Sequence, residues 1–390
     1  MDVKLPRPGF QGTIGILGSG QLGKMLLPIA HRWSIQVATM DPSPKAPAAA
    51  LAHRFVVGDL TDQEAVLEFG RSVDLLTYEI ESVDTDALQI LASEGRVVRP
   101  APRILKIIQD KRHQKSFFER NGLPTLPFEL VENGQHLAAQ SPTLPAVFKL
   151  GRGGYDGRGV WIVRRPEQLA VLPALPGILE PLLEGMTEIS VIVARSSRGQ
   201  VVAYPPTEMA FHPTANLVEM LIAPARISPE VAKRCHDVAI AVVNALEVVG
   251  LLAVEMFVDS SGEVYINECS PRPHNSGHHT IEASPCSQYE QMLRAILDLP
   301  LGAVSPARPA AMVNLLGEEG VSGPAIYPGV EAAMALHGVS VHLYGKAETR
   351  PFRKMGHVTA VADTVEEAAG LARQARSLIR VTTAQAMEGK

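Results

Sequence analysis

The sequence is poor in the residues that mark secreted, disulfide-rich or nucleic-acid-binding proteins. Only three of its 390 residues are cysteines, and Cys235, Cys269 and Cys286 form no C-x-x-C pair. We interpret them as buried or incidental thiols in a reducing compartment, in preference to a redox role. The net charge of −5 provides no basic surface, so we expect no nucleic-acid partner.

Long apolar runs are also missing. The start, MDVKLPRPGFQG, has no apolar signal core. The most hydrophobic stretch, residues 238–258, is interrupted by Asn244, Glu247, Gly250 and Glu255, whereas a membrane span needs about 20 apolar residues. The sequence therefore predicts a cytoplasmic protein without membrane contact. Its length favours two or three globular domains.

The predicted pattern of secondary structure changes twice along the chain. Residues 13 to about 100 alternate apolar strands with helices, which is the rhythm of a doubly wound parallel sheet. A helix predicted over about 106–122, closed by Gly122, leads into antiparallel strands joined by glycine turns. A proline-rich join at 297–310 precedes a strand-rich end. We predict a mixed α/β and α+β fold with an N-terminal Rossmann-like domain (1–105), a central domain (106–298) and a small strand-rich C-terminal domain (299–390).

The first motif is a glycine turn. In GILGSGQLGK, Gly18, Gly20 and Gly23 match G-x-G-x-x-G, and Asp41 stands where an acid would bind the ribose of NAD. A dehydrogenase would also need a hydride-transfer domain, for which the middle of this chain is a poor candidate. A glycine turn at a helix N-terminus binds any phosphate. We therefore favour a phosphate-binding turn over an NAD site.

A predicted hairpin carries two acids. If Val258 pairs with Glu263 across a four-residue turn, Glu255 faces Ile266 and Glu268 lies diagonally on the same face. Both carboxylates can then bind shared cations, whereas a three-residue loop would reverse the parity. The alternative is two solvated carboxylates on a polar face. The apolar flanks favour the metal site, because acids among apolar residues need partners.

Three further segments are rich in charge or glycine. The loop CSPRPHNSGHH (269–279) suits an anionic substrate, although a polar surface loop is the alternative, and zinc at His278 and His279 lacks partners at ligand spacing. KLGRGGYDGRG (149–159) is either a glycine hairpin over phosphates or a loose turn, and it is not a Walker A loop. HLYGKAETRPFRKMGH (342–357) is either a solvated basic turn or a phosphomonoester site.

Together these segments resemble the ATP-grasp superfamily and, within it, the 5-(carboxyamino)imidazole ribonucleotide synthase family. The resemblance covers nearly the whole chain, in order: GILGSGQLGKM, DPSPKAPA, TYEIESV, GGYDGRG, NECSPRPHNSGHHT, MVNLLG and YGKAETRPFRKMGH. It implies that residues 106–298 are an ATP-grasp domain in a homodimeric ligase. The implied reaction uses ATP and bicarbonate to carboxylate the amine of 5-aminoimidazole ribonucleotide. Another ATP-grasp ligase with a different acceptor, or a non-catalytic nucleotide-binding module, is the alternative.

The resemblance also assigns residues. ATP would contact Lys111, Lys149, Gly154, Tyr155, Gly157, Glu180, Leu183, Glu188, His212, Asn267 and Glu268, with 180–183 as the adenine-binding hinge. Magnesium, with two ions expected, would bind Glu255 and Glu268. The ribonucleotide would contact Gly20, Gln21, Leu22, Tyr155, Arg158, Asn275, Ser276, Lys346 and Arg353. Arg272, His274, Asp156 and Arg158 would be catalytic.

The chemistry implied by the family needs activation of a poor electrophile. ATP converts bicarbonate to carboxyphosphate, and the amine attacks the carboxyl carbon or carbon dioxide released in place. Asp156 or His274 would take the amine proton. Two segments depart from the family pattern. Ser270 stands where many relatives have the asparagine of Glu-x-Asn-x-Arg, which leaves the role of Asn267 open, and TEMAFHPTAN replaces the commoner ENxH around His212.

Overall fold

The architecture described below is that of a computed structural model, which describes residues 5–6, 12–154, 159–211, 218–305 and 308–388. Its first part alternates strands and helices. The elements are β1 (Thr13–Leu17), α1 (Gln21–Arg32), β2 (Gln36–Asp41), β3 (Arg54–Val57), α2 (Gln63–Arg71), β4 (Leu75–Tyr78), α3 (Thr85–Ser93), β5 (Val97–Val98) and α4 (Pro102–Ile108). The strands form a parallel sheet in the order β3-β2-β1-β4-β5, which confirms the predicted doubly wound fold.

The next part begins with a helix and contains a small antiparallel sheet. Its elements are α5 (Lys111–Arg120), β6 (Glu129–Val131), α6 (Leu137–Gln140), β7 (Ala146–Leu150), β8 (Val160–Val163) and β9 (Gly177–Pro181). The strand order is β6-β9-β7-β8. The helix expected over 106–122 is broken, because Asp110 is extended and its side chain caps α5 by accepting from the Arg112 N–H. This break places Lys111 at the first position of α5.

The strands of the large sheet lie between β10 (Thr187–Arg195) and β20 (Lys354–Val361), and two helices follow it. The remaining elements are β11 (Val201–Ala203), β12 (Thr207–Phe211), β13 (Val218–Ala223), α7 (Pro229–Leu246), β14 (Gly250–Val258), β15 (Val264–Ser270), α8 (Thr280–Ala283), α9 (Gln288–Ile296), β16 (Ala310–Leu316), β17 (Gly323–Pro324), α10 (Val330–Met334), β18 (Val339–Leu343), β19 (Glu348–Thr349), β20 (Lys354–Val361), α11 (Val365–Leu378) and α12 (Ala384–Glu388).

The large sheet joins the central and C-terminal parts. Within the described residues it runs β15-β14-β10-β12-β13-β16-β20-β18, with β11 paired to β10. The junction is the β13–β16 ladder, in which Met220 lies opposite Val313. The strand-rich end therefore continues the central sheet, while α11 packs against β16 and β20. The domain boundaries 1–105, 106–298 and 299–390 stay a prediction.

Alternation along β10 and β14 sends side chains to two cores. Val191 and Val254 pack with α7 on one face, whereas Ile192 and Ala253 pack with α9 on the other. Because Glu255 has the parity of Ala253, the acids of the hairpin belong to the α9 face. No helix among the described residues is both long and apolar enough to cross a membrane.

Candidate active site

The acidic hairpin forms, but with a register that differs from the prediction. Val258 pairs with Val264, which leaves a five-residue connection and would by itself reverse the parity. A bulge between Glu255 and Met256 then shifts the ladder by one residue, so Glu255 lies directly opposite Glu268. The predicted diagonal pairing was wrong, while the shared face of the two acids was right.

Each of the two carboxylates has a basic partner. His274 Nε2 lies 3.1 Å from Glu255 Oε1, and the Lys111 ammonium forms an ion pair with Glu268. Burial alone would raise the pKa of Glu255, but the hydrogen bond from His274, with the charges of Lys111 and Lys354, holds it below its ordinary value. Glu255 is therefore ionised and available to a cation at neutral pH.

A second ionic cluster lies where the small sheet faces the hairpin. Lys115 and Glu180 form an ion pair in which each side chain is only 2% exposed. Lys149 Nζ lies 2.7 Å from Glu180 Oε2 and donates to Asn267 Oδ1 at 2.7 Å. Burial opposes ionisation of Glu180, but the charges of Lys149 and Lys115 lower its pKa. The cluster thus has two ammonium groups around one carboxylate, an arrangement suited to a polyanion.

Lys111 lies between the two groups of charges. Its pKa falls to about 8, first because the ammonium is buried and then because Lys149 is close. The carboxylates of Glu255, Glu180 and Glu81 act in the opposite direction. At pH 7 the side chain is still mainly protonated, so Lys111 can neutralise a phosphate.

Glu188 and the predicted hinge lie next to this cluster. Glu188 faces Phe257 on β14, and Ser190 faces Glu255, so both acids have the same parity. Burial and then the charge of Glu255 raise the pKa of Glu188 to about 8. Residues 182–186 connect β9 of the small sheet to β10 of the large sheet. Leu183 is half-buried in this connection.

The loop after β15 joins the N-terminal part to the hairpin. Arg272 Nη2 lies 2.7 Å from Glu81 Oε1, and Glu81 follows the carboxyl end of β4. Burial opposes ionisation of Glu81, but the charge and hydrogen bond of Arg272 lower its pKa. Arg272 is thus held at the edge where the parallel sheet meets the central part.

The ring of His274 is fixed at both nitrogens. Nδ1 lies 2.8 Å from Ser276 Oγ and accepts from the Ser276 N–H at 3.3 Å. Because that backbone group only donates, Nδ1 is unprotonated and Nε2 carries the proton that points to Glu255. Ser276 Oγ lies in turn 2.7 Å from Ser190 Oγ. In this arrangement neither nitrogen offers a lone pair to a substrate.

Asn275 is held by a residue of the C-terminal part. Its amide exchanges two hydrogen bonds with that of Asn314 on β16, at 2.9 and 3.1 Å. The Asn314 amide also donates to the Val218 carbonyl at 3.1 Å. Asn314 is 2% exposed, whereas Asn275 is half-buried.

The glycine turn holds carboxylates. Gly20 N–H and Gly23 N–H both donate to Glu79, and Ser19 N–H donates to Asp41 Oδ2 at 3.0 Å. A Cβ on Gly18 would lie 2.5 Å from Glu79 Cγ, so the glycine makes room for this side chain. Burial raises the pKa of Glu79 to about 7 despite the two amide bonds. A phosphate at Gly20 would have to displace Glu79.

Some of the remaining predicted residues lie in the described part of the chain, and others do not. Gln21 and Leu22 are the first two residues of α1, beside the same turn. Lys346 donates to the Lys354 carbonyl at 2.6 Å, and Arg353 donates to the Glu348 carbonyl at 2.6 Å. Gly154 is described, half-buried, directly after β7 and its bend. Five predicted residues lie outside the described ranges: Tyr155, Asp156, Gly157, Arg158 and His212.

The acids of the hairpin fit a magnesium ion of the kind that accompanies a nucleotide. The described residues contain no group of three His, Cys, Asp or Glu side chains arranged for a metal. Mg²⁺ at such sites needs only one or two carboxylates, with phosphates and water completing its shell. Glu255 and Glu268 supply that pair. His278 and His279 are both buried, and His278 Nδ1 lies 3.0 Å from the Tyr289 hydroxyl.

Five residues of the site were not predicted from the sequence: Glu79, Glu81, Lys115, Gln288 and Asn314. A signal existed for three of them. Glu79 and Glu81 follow a buried parallel strand, and ligands of such sheets bind at the carboxyl ends of strands. Lys115 lies four residues after Lys111 on one helix face. Gln288 and Asn314 act through tertiary contacts and had no local signal.

Three family models match the chain in sequence order. Residues 11–109 match the ribonucleotide synthetase preATP-grasp domain, residues 116–289 match the ATP-grasp domain, and residues 310–370 match the phosphoribosylaminoimidazole carboxylase C-terminal domain. The three matches follow the order of the parallel sheet, the central part and the strand-rich end.

Individual relatives match over nearly their whole length. N5-carboxyaminoimidazole ribonucleotide synthase of Bacillus subtilis is 35% identical over 94% of this chain and 95% of its own. The crystal structure of the N5-carboxyaminoimidazole ribonucleotide synthetase of Thermotoga maritima superposes with a TM-score of 0.87 at 40% identity, covering 96% of this chain and 100% of that one. The synthase of Aspergillus clavatus, solved with ADP and 5-aminoimidazole ribonucleotide, gives 0.85 at 32% identity, with 94% and 98% covered.

Proposed function

The chain belongs to the N5-carboxyaminoimidazole ribonucleotide synthase family, and we infer that it is an ATP-dependent ligase that carboxylates 5-aminoimidazole ribonucleotide in purine synthesis. The observation that carries this function is the convergence of the paired acids Glu255 and Glu268 with the lysines at Glu180. One relative with this fold was solved with ADP and the ribonucleotide, and two others were solved with ADP. Bicarbonate is the proposed carbon source.

Nucleotide binding is assigned to the ionic cluster. Lys149 and Lys111 face the phosphates, and Glu180 sets the position of Lys149 through their 2.7 Å contact. The connection 182–186, with Leu183, forms the adenine hinge between the two sheets. Glu188 has a pKa near 8 and keeps its proton at pH 7. It can therefore both donate to and accept from a ribose hydroxyl.

Magnesium is assigned to Glu255 and Glu268. When bound, the ion neutralises the charge that develops between bicarbonate and the terminal phosphate of ATP. Lys111 and His274 already hold these two carboxylates in place. We expect two ions, and Asn267 is available beside Lys149 as a further oxygen donor.

The ribonucleotide is assigned to the face between the first sheet and the loop at 272–276. Arg272, held in place by its ion pair with Glu81, supplies a positive charge that stabilises carboxyphosphate. Ser276, Asn275, Lys346 and Arg353 stay proposed contacts of this substrate. At the glycine turn, Gln21 and Leu22 stay proposed contacts, while the Gly20 amide is engaged by Glu79.

Transfer of the carboxyl group needs a base for the substrate amine. The amine nitrogen forms a bond to the carboxyl carbon of carboxyphosphate, and the bond between that carbon and the phosphate oxygen breaks, so that phosphate leaves. One proton leaves the nitrogen. In the described arrangement both nitrogens of His274 are engaged. This favours Asp156, named from the sequence pattern, as the base and leaves His274 to orient Glu255. Arg158 stays a proposed catalytic residue.

Two further assignments complete the proposal. The three cysteines are unpaired and buried, which supports a reducing, cytoplasmic location. A homodimer, implied by the family resemblance, stays a prediction that sedimentation would test.

Labelled bicarbonate tests the proposed reaction. The enzyme is incubated with ATP, magnesium and 5-aminoimidazole ribonucleotide, and the acid-labile carbamate is trapped promptly. Label in the ribonucleotide, formed in proportion to ADP, is the expected result. ADP formation without label in the ribonucleotide would point to another acceptor. No ADP under any of these conditions would favour a nucleotide-binding module.

A further inference from the structure

The backbone of His274 is gripped by one buried side chain. Gln288, the first residue of α9, is 0% exposed. Its Nε2 donates to the His274 carbonyl at 2.8 Å, and the His274 N–H donates to its Oε1 at 2.8 Å. Both backbone polar groups of His274 are thus satisfied by one amide, as in a pair of antiparallel strands.

The rest of the loop is shaped to allow this grip. A Cβ on Gly277 would lie 2.6 Å from Gln288 Oε1 and 2.7 Å from its Cδ, so a side chain there would push the amide away. The Gly277 N–H also donates to the His274 carbonyl at 3.0 Å. At its other end Gln288 is tied down, because its N–H donates to Thr280 Oγ1 at 2.9 Å.

We propose that Gln288 is a positioning residue for the reaction, which acts by holding His274 at the distance from which its Nε2 reaches Glu255. Gln288 touches the backbone of His274, while the ring bridges Ser276 and Glu255. A shift of the loop would therefore move the ring off Glu255. Because the rate depends strongly on the positions of the catalytic groups, a displacement of such a group by about 1 Å lowers the rate by up to about 10²-fold. The inference rests on the proposed function of this site.

Gln291 provides a matched control one turn further along α9. It is also 0% exposed. Its Nε2 donates to the Gly302 carbonyl at 2.8 Å, and the Gly302 N–H donates to its Oε1 at 2.8 Å. The two glutamines make the same pair of bonds from the same helix, but Gln291 holds the proline-rich join, and Gln288 holds the candidate active-site loop.

The first test compares Gln288→Met with Gln291→Met, which remove the two backbone bonds of each glutamine at similar side-chain volume. Each variant also loses one side-chain contact, that of Gln288 Nε2 with His278 Nδ1 at 3.1 Å or that of Gln291 Oε1 with the Cys286 thiol at 3.4 Å. Both are expected to lower Tm by similar amounts. Gln288→Met should reduce the kcat of ribonucleotide-dependent ADP formation about tenfold or more, with KM for ATP within about twofold of wild type, whereas Gln291→Met should keep kcat within about twofold. Equal losses of kcat in both variants, or no loss in either, would overturn the proposal.

A double variant shows whether Gln288 acts through His274. His274→Ala and His274→Ala/Gln288→Met are expected to have the same kcat, because the second change removes support for a ring that is already absent. A further loss in the double variant as large as that of Gln288→Met alone would overturn the inference.

If Gln288→Met does not fold, Gln288→Glu carries the test, because it keeps the acceptor for the His274 N–H and loses the amide donor; wild-type kcat in that variant would overturn the proposal. If the wild-type protein shows no ribonucleotide-dependent turnover, the proposed function fails first and this inference falls with it.

Discussion

The two sides of the candidate site are held together by different interactions. The nucleotide side, which we define as Lys111, Lys115, Lys149, Glu180 and Glu268, is a set of ion pairs. The substrate loop, residues 271–279, is fixed mainly by hydrogen bonds between neutral groups, such as the pair of amides at Asn275.

This difference has a consequence for ligand binding. Removing one partner of a buried ion pair leaves an uncompensated charge, which is destabilising. When ATP and its metal ion bind, the phosphates must therefore replace the carboxylates as partners of the lysines, and the metal ion must replace the lysines as partner of the carboxylates. Neutral hydrogen bonds at the back of the loop need not change when the ribonucleotide binds, and they keep its reactive groups in place. Substitutions on the nucleotide side should therefore change the stability of the protein and its use of ATP and magnesium. Substitutions behind the substrate loop should change the KM for the ribonucleotide.

The largest expected effect is on the stability of the nucleotide side. Lys115→Met removes the buried partner of Glu180 and is expected to lower the free energy of unfolding by about 3 kcal/mol, as measured in urea. Lys106→Met is the control, because its ion pair with Asp86 has side chains that are 60% and 68% exposed; it should cost less than about 0.5 kcal/mol. Equal costs in the two variants would refute a stabilising role for the buried pair.

The next effect concerns the acid opposite Glu255. Glu268→Gln keeps the size of the side chain but removes a charge from the proposed metal pair. We expect kcat to fall about 10²-fold and the magnesium concentration needed for half-maximal rate to rise. Glu263→Gln, on the same hairpin but with a 61% exposed side chain, should leave both quantities unchanged. An unchanged magnesium dependence in Glu268→Gln would remove this residue from the metal site.

A smaller effect is expected behind the substrate loop. Asn314→Leu deletes both hydrogen bonds to Asn275 and leaves that amide without its buried partner. We expect KM for the ribonucleotide to rise about tenfold, while the affinity for ADP stays within about twofold. Steady-state kinetics and calorimetric titration with ADP give the two numbers. A loss of ADP affinity equal to the change in KM would show that the two sides are not separable.

The most gradual expected effect is a slope of stability with pH. Glu188 has a pKa of about 8 in the folded protein, because of burial and the charge of Glu255, and an ordinary value near 4.5 when unfolded. Between these values the folded state retains a proton that the unfolded state has lost, so stability falls as pH rises. Glu188→Gln should remove this contribution, at most about 1.4 kcal/mol per pH unit. Urea unfolding at pH 5.5, 6.5 and 7.5 measures it; parallel wild-type and variant curves would contradict the assignment.

Local patterns in the sequence predicted much of the fold and part of the site. The apolar strands and glycine turn predicted the parallel sheet, and the acids among apolar residues predicted a hairpin with both carboxylates on one face. The register was wrong, because a bulge at Glu255 compensates for a longer turn and nothing in the residue pattern marks it. The sheet that joins β13 to β16 was likewise missed, since strand order depends on long-range pairing.

What the sequence could not predict is the set of groups behind the site. Asn314 and Gln288 are polar residues whose partners, Asn275 and His274, lie 39 and 14 residues away in the chain. At the glycine turn, the Gly20 and Gly23 amides bind Glu79, which follows β4, and the local pattern did not indicate this contact. Such partners follow from the tertiary structure.

The dependence of ADP release on the ribonucleotide distinguishes the proposed synthase from other ATP-grasp ligases. The rate is measured with ATP, magnesium and bicarbonate, with and without 5-aminoimidazole ribonucleotide. We expect ADP release to require the ribonucleotide for most of its rate and to fall when bicarbonate is withheld. ADP release at the same rate with and without the ribonucleotide would contradict it, and the acceptor would then have to be sought elsewhere among ATP-grasp substrates.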